Sequence, residues 1–172
     1  LHLLEQVAHV VVIEGDVASS IDTEKVAAAG IPVFQINTDG DCHLDAVSVR
    51  KAFEALPAVP EQGLLFIENI GNLICPAEFD LGEDIRLVIA SVPEGDDKPR
   101  KYPAIFALAD AIVLNKTDLA GHVEFDRPRF EAGVRAVNDR APIFDVSCRG
   151  AMAGVDALVD WLVVKRETAC PQ

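Results

Sequence analysis

Six short runs of apolar, largely β-branched residues recur along the chain: His9–Glu14 (HVVVIE), Val33–Asn37 (VFQIN), Leu64–Asn69 (LLFIEN), Arg86–Val92 (RLVIASV), Ala111–Asn115 (AIVLN) and Ile143–Ser147 (IFDVS). Runs that are apolar on successive positions suit strands buried on both faces, because a half-solvated strand alternates. Between them lie stretches with apolar residues three and four apart, at His43–Leu56 and Phe125–Val137. Val155–Val164 closes the series with Val155, Leu158, Val159 and Leu162 on one helical face. Strands of this kind alternating with helices predict an α/β fold, a three-layer, doubly wound, mostly parallel sheet.

The 172 residues suit one domain spanning 1–172, and with half of them apolar the chain can bury a core without a metal or disulfide staple. A formal net charge of −13 repels phosphate polymers and anionic bilayers, which argues against a nucleic-acid or membrane partner. No unbroken apolar stretch exceeds six residues, far short of the roughly 18 that span a bilayer, and no signal-peptide pattern opens the chain. Cys42, Cys75, Cys148 and Cys170 read as unpaired thiols of a reducing cytoplasm. The chain starts at Leu1 and its only methionine is Met152, which reads as a processed or truncated product.

In a doubly wound fold, ligands collect beyond the carboxyl ends of the strands. Nearly every strand here ends in a carboxylate, amide or hydroxyl: Glu14-Gly15-Asp16, Asn37-Thr38-Asp39, Glu68-Asn69, Ser91, Asn115-Lys116 and Ser147-Cys148. The strongest signal is Asn115-Lys116-Thr117-Asp118 after the strand at Ala111. Guanine presents N1–H and an exocyclic amine side by side, and one carboxylate can accept from both; adenine has no such pair. Asp118 supplies the carboxylate, Asn115 ties the loop, and the Lys116 stem can lie over the ring. A polar loop with Asp118 as a helix cap is the plainer reading of the same four residues. Ser147-Cys148-Arg149-Gly150 leaves the next strand where backbone N–H groups can meet the guanine carbonyl, with Gly150 allowing a tight turn.

Glu68, ahead of Asn69-Ile70-Gly71-Asn72, stands where an acidic strand end can hold a Mg²⁺ shell, with Asp16 as a second acid. Acids at strand ends also simply meet solvent or cap helices. Cys42-His43, with Cys75 further along, offers thiolate and imidazole to borderline-soft ions such as Zn²⁺ or Ni²⁺. Three ligands fall short of a closed tetrahedral site, so solvent, a donor or a second copy must complete it. The alternative makes Cys42 and Cys75 small buried hydrophobes and His43 a helix cap. Cys148 and Cys170 lack that context, and His2, His9 and His122 stand alone. The stretch 94–101 reads most simply as a loop of mixed charge, and the alternative has one of its lysines reach a phosphate.

The stretches VVVIEGDVASSIDTEKV, QINTDGDCHLDA, FIENIGNLICPAEFDLGE, EGDDKPRKYP and LNKTDL together resemble the HypB family, GTP-dependent nickel-insertion proteins of [NiFe] hydrogenase maturation. The resemblance implies a P-loop NTPase-like GTPase that binds GTP, Mg²⁺ and Ni²⁺ or Zn²⁺. It makes Asn115, Lys116 and Asp118, with Ser147, Cys148 and Arg149, guanine-binding. It makes Asp16 and Glu68 the magnesium and hydrolysis residues, and Cys42, His43 and Cys75 metal ligands near a nucleotide-dependent homodimer interface, with Lys101 reaching the partner copy's phosphate. It also implies a HypA-like nickel protein and the hydrogenase large-subunit precursor as partners. A non-hydrolysing metal-storage module and a urease-type nickel accessory GTPase are the competing readings. Two departures stand out. Asp39-Gly40-Asp41 replaces a family loop that usually carries glycine and lysine, and no G-x-x-x-x-G-K-[ST] occurs. Without that phosphate nest the chain as given is expected to hold GTP poorly and hydrolyse it hardly at all. Leu1–Ala8 reads as the tail of the helix that succeeds the nest, and loss of its strand as exposing sheet edges.

Overall fold

In the computed structural model, residues 2–6, 8–17, 19–56, 63–150 and 152–169 are described. The chain divides into two compact units, residues 1–82 with 162–172, and residues 83–161.

In the first unit a short helix α1 (His2–Glu5) precedes β1 (Val10–Asp16), then α2 (Ile21–Ala28), β2 (Val33–Asn37), α3 (Ala46–Ala55) and β3 (Leu64–Glu68). The strands form a parallel sheet in the order β2-β1-β3. β1 is hydrogen-bonded on both edges, and every residue from Val10 to Gly15 is buried, which is why its sequence is apolar without alternation. Ile13 packs with Leu44, Val49 and Ala52, and Ile36, Leu65 and Ile67 close around them. Helix α3 starts where Asp45 accepts from the backbone N–H of Val47 and Ser48 and stops at Leu56, whose extended backbone is what the proline after it demands. Gly15 lets Leu44 lie against β1, since a Cβ there would stand 2.7 Å from the leucine side chain. Helix α2 buries none of its residues, so no apolar period marks it in the sequence.

In the second unit β4 (Leu87–Ser91), α4 (Lys98–Lys101), α5 (Pro103–Ala107), β5 (Ala111–Asn115), α6 (Arg127–Arg135) and β6 (Ile143–Asp145) succeed one another. They build another parallel sheet, ordered β4-β5-β6. Central β5 is buried from Ala111 to Leu114, whereas edge strand β4 leaves Ile89 exposed. Under this sheet Phe106 and Phe130 meet edge to face at 6.3 Å, both fully buried. The last helix, α7, covers Val155–Ala169.

The fold is therefore α/β with parallel sheets and flanking helices, as the pattern predicts, and all six expected strands form. The pairing has a feature the pattern does not contain: the strands group as two three-stranded sheets, and among the described residues none of one sheet pairs with the other. Also among them, no helix is long and apolar enough to cross a membrane. The His2 side chain and Cys170 lie outside the described residues.

Truncating Phe130 to alanine removes a ring in contact with Phe106 and Phe125 and is expected to cost about 3–5 kcal/mol. Urea unfolding checks this as a lowered midpoint with an unchanged m value.

Candidate functional site

At the end of β5 the chain turns through Lys116, whose φ of +58° is left-handed, while the Asn115 carboxamide accepts from the Lys116 N–H at 2.7 Å. Thr117 then clamps the turn to the segment after β6: its N–H and hydroxyl both donate to the Val146 carbonyl, at 3.2 and 3.0 Å. One residue on, the buried Ser147 hydroxyl donates to Asp118 Oδ1 at 2.7 Å. The exposed Asp118 carboxylate is thus oriented from below, and among the described residues no donor reaches Oδ2. This disposition suits a forked acceptor for two parallel donors and fits guanine. Asp118 caps no helix.

Below it the loop after β6 is held by Ser147 N–H donating to the Ala153 carbonyl at 2.9 Å. Gly150 takes φ +63°, the tight turn expected of it, and leaves Cys148 and Arg149 exposed. Gly154, which no sequence motif marks, is a stricter requirement: its φ is +75° and a Cβ would stand 2.1 Å from the Asp145 carbonyl. Lys101 lies in the same unit and is ion-paired with Asp97 at 2.6 Å. That hydrogen bond raises the lysine's pKa and lowers the carboxyl's.

The first unit carries the acidic set. Parallel register places Glu14 opposite Glu68, so the two carboxylates share a face. Glu14 is only 4% exposed and accepts a hydrogen bond from the Thr23 hydroxyl. Asp16 closes the next loop by accepting from Ser19 N–H at 2.6 Å. Burial of the carboxyl end of Glu68, and then the negative charges of Glu14, Asp22 and Asp16, push its pKa above the ordinary carboxylate value. Like charges near a strand tip are the chemistry a divalent cation relieves, although among the described residues these acids do not gather into a group of three that could hold one. Nothing crowds Gly71. Glu14 and Asp16 both stand among the strand-end acids of the sequence; what the sequence does not show is that Glu14 is buried and bonded to the Thr23 hydroxyl.

The thiol and imidazole residues share one loop cluster of this unit. Cys42 is exposed and Cys75 half-buried, which sets aside the buried-hydrophobe reading, and Asp45 rather than His43 caps α3. Cys42 Sγ stands 3.8 Å from His43 Nδ1, and the His43 ring stacks on Phe79 at 3.6 Å. A hydrogen bond with Cys42 is the main cause that raises the Cys75 thiol pKa. Among the described residues no group of three or more His, Cys, Asp or Glu is gathered so as to hold a metal. A small cavity of about 110 Å³ opens beside His43, lined by Asn37, Thr38, Asp41, Asp45 and Ser48 among others. His9 and His122 are exposed.

The profile of the CobW/HypB/UreG nucleotide-binding domain matches residues 1–145. Hydrogenase maturation factor HypB of Azotobacter chroococcum is 46% identical over 162 residues, 94% of this chain and 52% of its own length. The chain spans about half the length of the curated relatives it matches. The crystal structure of HypB from Helicobacter pylori in complex with nickel superposes with a TM-score of 0.86 at 32% identity, over 94% of this chain and 76% of that one. HypB from Archaeoglobus fulgidus gives 0.85 at 37% identity, over 96% and 79%.

Because the Glu68 carboxyl titrates above its unfolded value, the folded state binds its proton more tightly, and stability falls as pH rises from the ordinary carboxylate range through the raised pKa. Glu68→Gln is therefore expected to be more stable than the parent at pH 7, with the gain vanishing at acid pH where both carry an uncharged side chain. Urea midpoints at the two pH values check the sign.

Proposed function

The chain belongs to the CobW/HypB/UreG nucleotide-binding domain family, and within it to the HypB group; from that premise we propose that it is the guanine-nucleotide and metal-handling part of a GTP-dependent nickel chaperone for [NiFe] hydrogenase maturation. The observation that carries the reading is the Asp118 carboxylate, turned outward at the end of β5 by the Ser147 hydroxyl. Asp118 accepts from both guanine donors, Asn115 braces the turn, the Lys116 stem covers the ring, and backbone N–H groups at Ser147, Cys148 and Arg149 lie toward the base carbonyl. Reading residues 1–172 as one G domain is part of this proposal.

On the acidic side, Asp16 and Glu68 would hold the magnesium shell and orient the attacking water where the phosphate nest absent from these 172 residues is also supplied. Mg²⁺, when bound, neutralises charge on the phosphates. Residues that shed their mutual repulsion on binding the ion make the loop conformation depend on nucleotide. Lys101 exchanges Asp97 for the phosphate of a second copy, so that dimerisation tracks the nucleotide state. Nickel is cargo: Cys42, His43 and Cys75 supply soft donors, and a second copy completes the coordination that one chain does not. The protein acts in the cytoplasm, where a HypA-like nickel protein and the hydrogenase large-subunit precursor are the donor and the recipient.

Two experiments test this. In competition calorimetry, at concentrations high enough for the weak binding expected without a G-x-x-x-x-G-K-[ST] nest, the protein is expected to prefer guanine over adenine nucleotides. Asp118→Asn, which puts an N–H donor where the carboxylate stood, is expected to lose about tenfold or more for guanine, roughly 1.4 kcal/mol, and to gain affinity for xanthine nucleotides, whose C2 carbonyl accepts. Equal binding of ATP and GTP by the parent overturns the guanine assignment. In nickel titrations, Cys42→Ala and Cys75→Ala are each expected to abolish thiolate-to-nickel absorbance; unchanged spectra in both remove the metal assignment.

A further inference from the structure

The two thiols belong to different segments, Cys42 in the loop after β2 and Cys75 at the start of a 3-10 turn (Cys75–Ala77) beyond β3, and no strand or helix contains both. What joins the loops is a pair of asparagine side chains. Asn69 Oδ1 accepts from the N–H of Leu44 at 2.9 Å and of Ile70 at 2.8 Å. Asn72 uses both ends of its amide: Nδ2 donates to the Cys42 carbonyl, while Oδ1 accepts from the N–H groups of Ile74 and Cys75, each at 3.0 Å. A single planar amide therefore touches the backbone of Cys42 and of Cys75 at once.

We propose that Asn72 is a positioning residue for the Cys42–Cys75 thiol pair, fixing how closely the two sulfurs approach and so preorganising them to capture a soft divalent cation. The metal clause rests on the proposed function; the spacing of the thiols does not. Two donors on separate loops lose conformational freedom when a ligand pulls them together, and a bridge that has already restricted the loops lowers that cost. The chemistry is specific to a carboxamide. An alanine makes neither contact. An aspartate keeps the acceptor for Ile74 and Cys75 but has no donor for Cys42, and it sets a carboxylate against that carbonyl. The Phe79 ring stacked on His43 holds the third soft donor by a different contact, so loss of the Asn72 bridge should disturb the thiols and spare the imidazole.

The test uses the full chain with Cys148 and Cys170 replaced by serine, so that Cys42 and Cys75 are the only thiols. Dibromobimane, which becomes strongly fluorescent only when both of its arms are alkylated, reports the closeness of the pair without any metal. A monofunctional maleimide reports each thiol alone, and far-UV circular dichroism reports folding. Asn72→Asp is expected to lower the bridged yield by about fivefold, the worth of one net hydrogen bond, and Asn72→Ala, which loses all three, by at least as much, with maleimide rates and the spectrum kept. Unchanged bridging in a folded Asn72→Ala overturns the proposal. Should alanine unfold the chain, unchanged bridging in Asn72→Asp overturns it instead. Nickel titration of the same proteins separates the two claims. A parent that bridges efficiently but shows no Cys42-dependent nickel absorbance overturns the metal reading. Nickel absorbance that weakens in step with bridging supports both.

Discussion

A strand hydrogen-bonded on both edges and covered on both faces has room for polar chemistry mainly where it ends. β1 and β5 are the two strands so placed, each at the centre of a parallel sheet, and each is buried almost to its last residue. Their interiors are closed to function by packing density and by the cost of burying unpaired polar groups. The chain therefore concentrates its charges and amides just past the strand ends, at Asp16 with the turn beyond it and at Asn115 with the loop to Asp118. The parallel ladder also fixes which residues from neighbouring strands arrive together. Glu14 faces Glu68 because Val10 pairs with Leu64, and a slip of one residue would send one of the acids to the opposite face.

That register has an electrostatic consequence. Backbone pairing sets Glu14 beside Glu68, and burial first, then the nearby charges of Glu14, Asp22 and Asp16, raise the Glu68 pKa; Asp22, on α2, is itself ion-paired with Lys25. A fold that only needed stability would place a neutral residue at one of these positions. Thr23 satisfies Glu14 through its hydroxyl, which supplies a hydrogen bond and no compensating charge.

The strands are readable from their apolar runs, although burial on both faces explains only the central β1 and β5; β2 has no buried residue, yet it and β5 match their expected bounds residue for residue. Helix α2 is not readable because it buries nothing. The split into two sheets is not readable either, since a pattern of apolar runs says which segments are strands and not which strands pair. Among the candidate residues, Asp118 and Cys42 can be proposed from their own chemistry. Thr117, Asn69 and Asn72 cannot, because an amide or hydroxyl that serves backbone groups of another loop looks like any loop residue until the chain brings that loop alongside. Gly154 is hidden for a similar reason: its constraint comes from a carbonyl nine residues upstream, at Asp145.

The amides nevertheless share a logic. In both units a side chain on one loop binds backbone groups of another: Thr117 to Val146, Asn69 to Leu44, Asn72 to Cys42 and Cys75. Neutral tethers of this kind hold loops together without adding a charge to the local field. Each contributes only about 0.5–1.5 kcal/mol, so a ligand that binds a rearranged loop more tightly by that amount can break one. A salt bridge at the same place would titrate and would alter the local potential. A disulfide would consume the thiols. A carboxamide keeps the loops together, stays neutral at every physiological pH and leaves them able to move when the ligand changes.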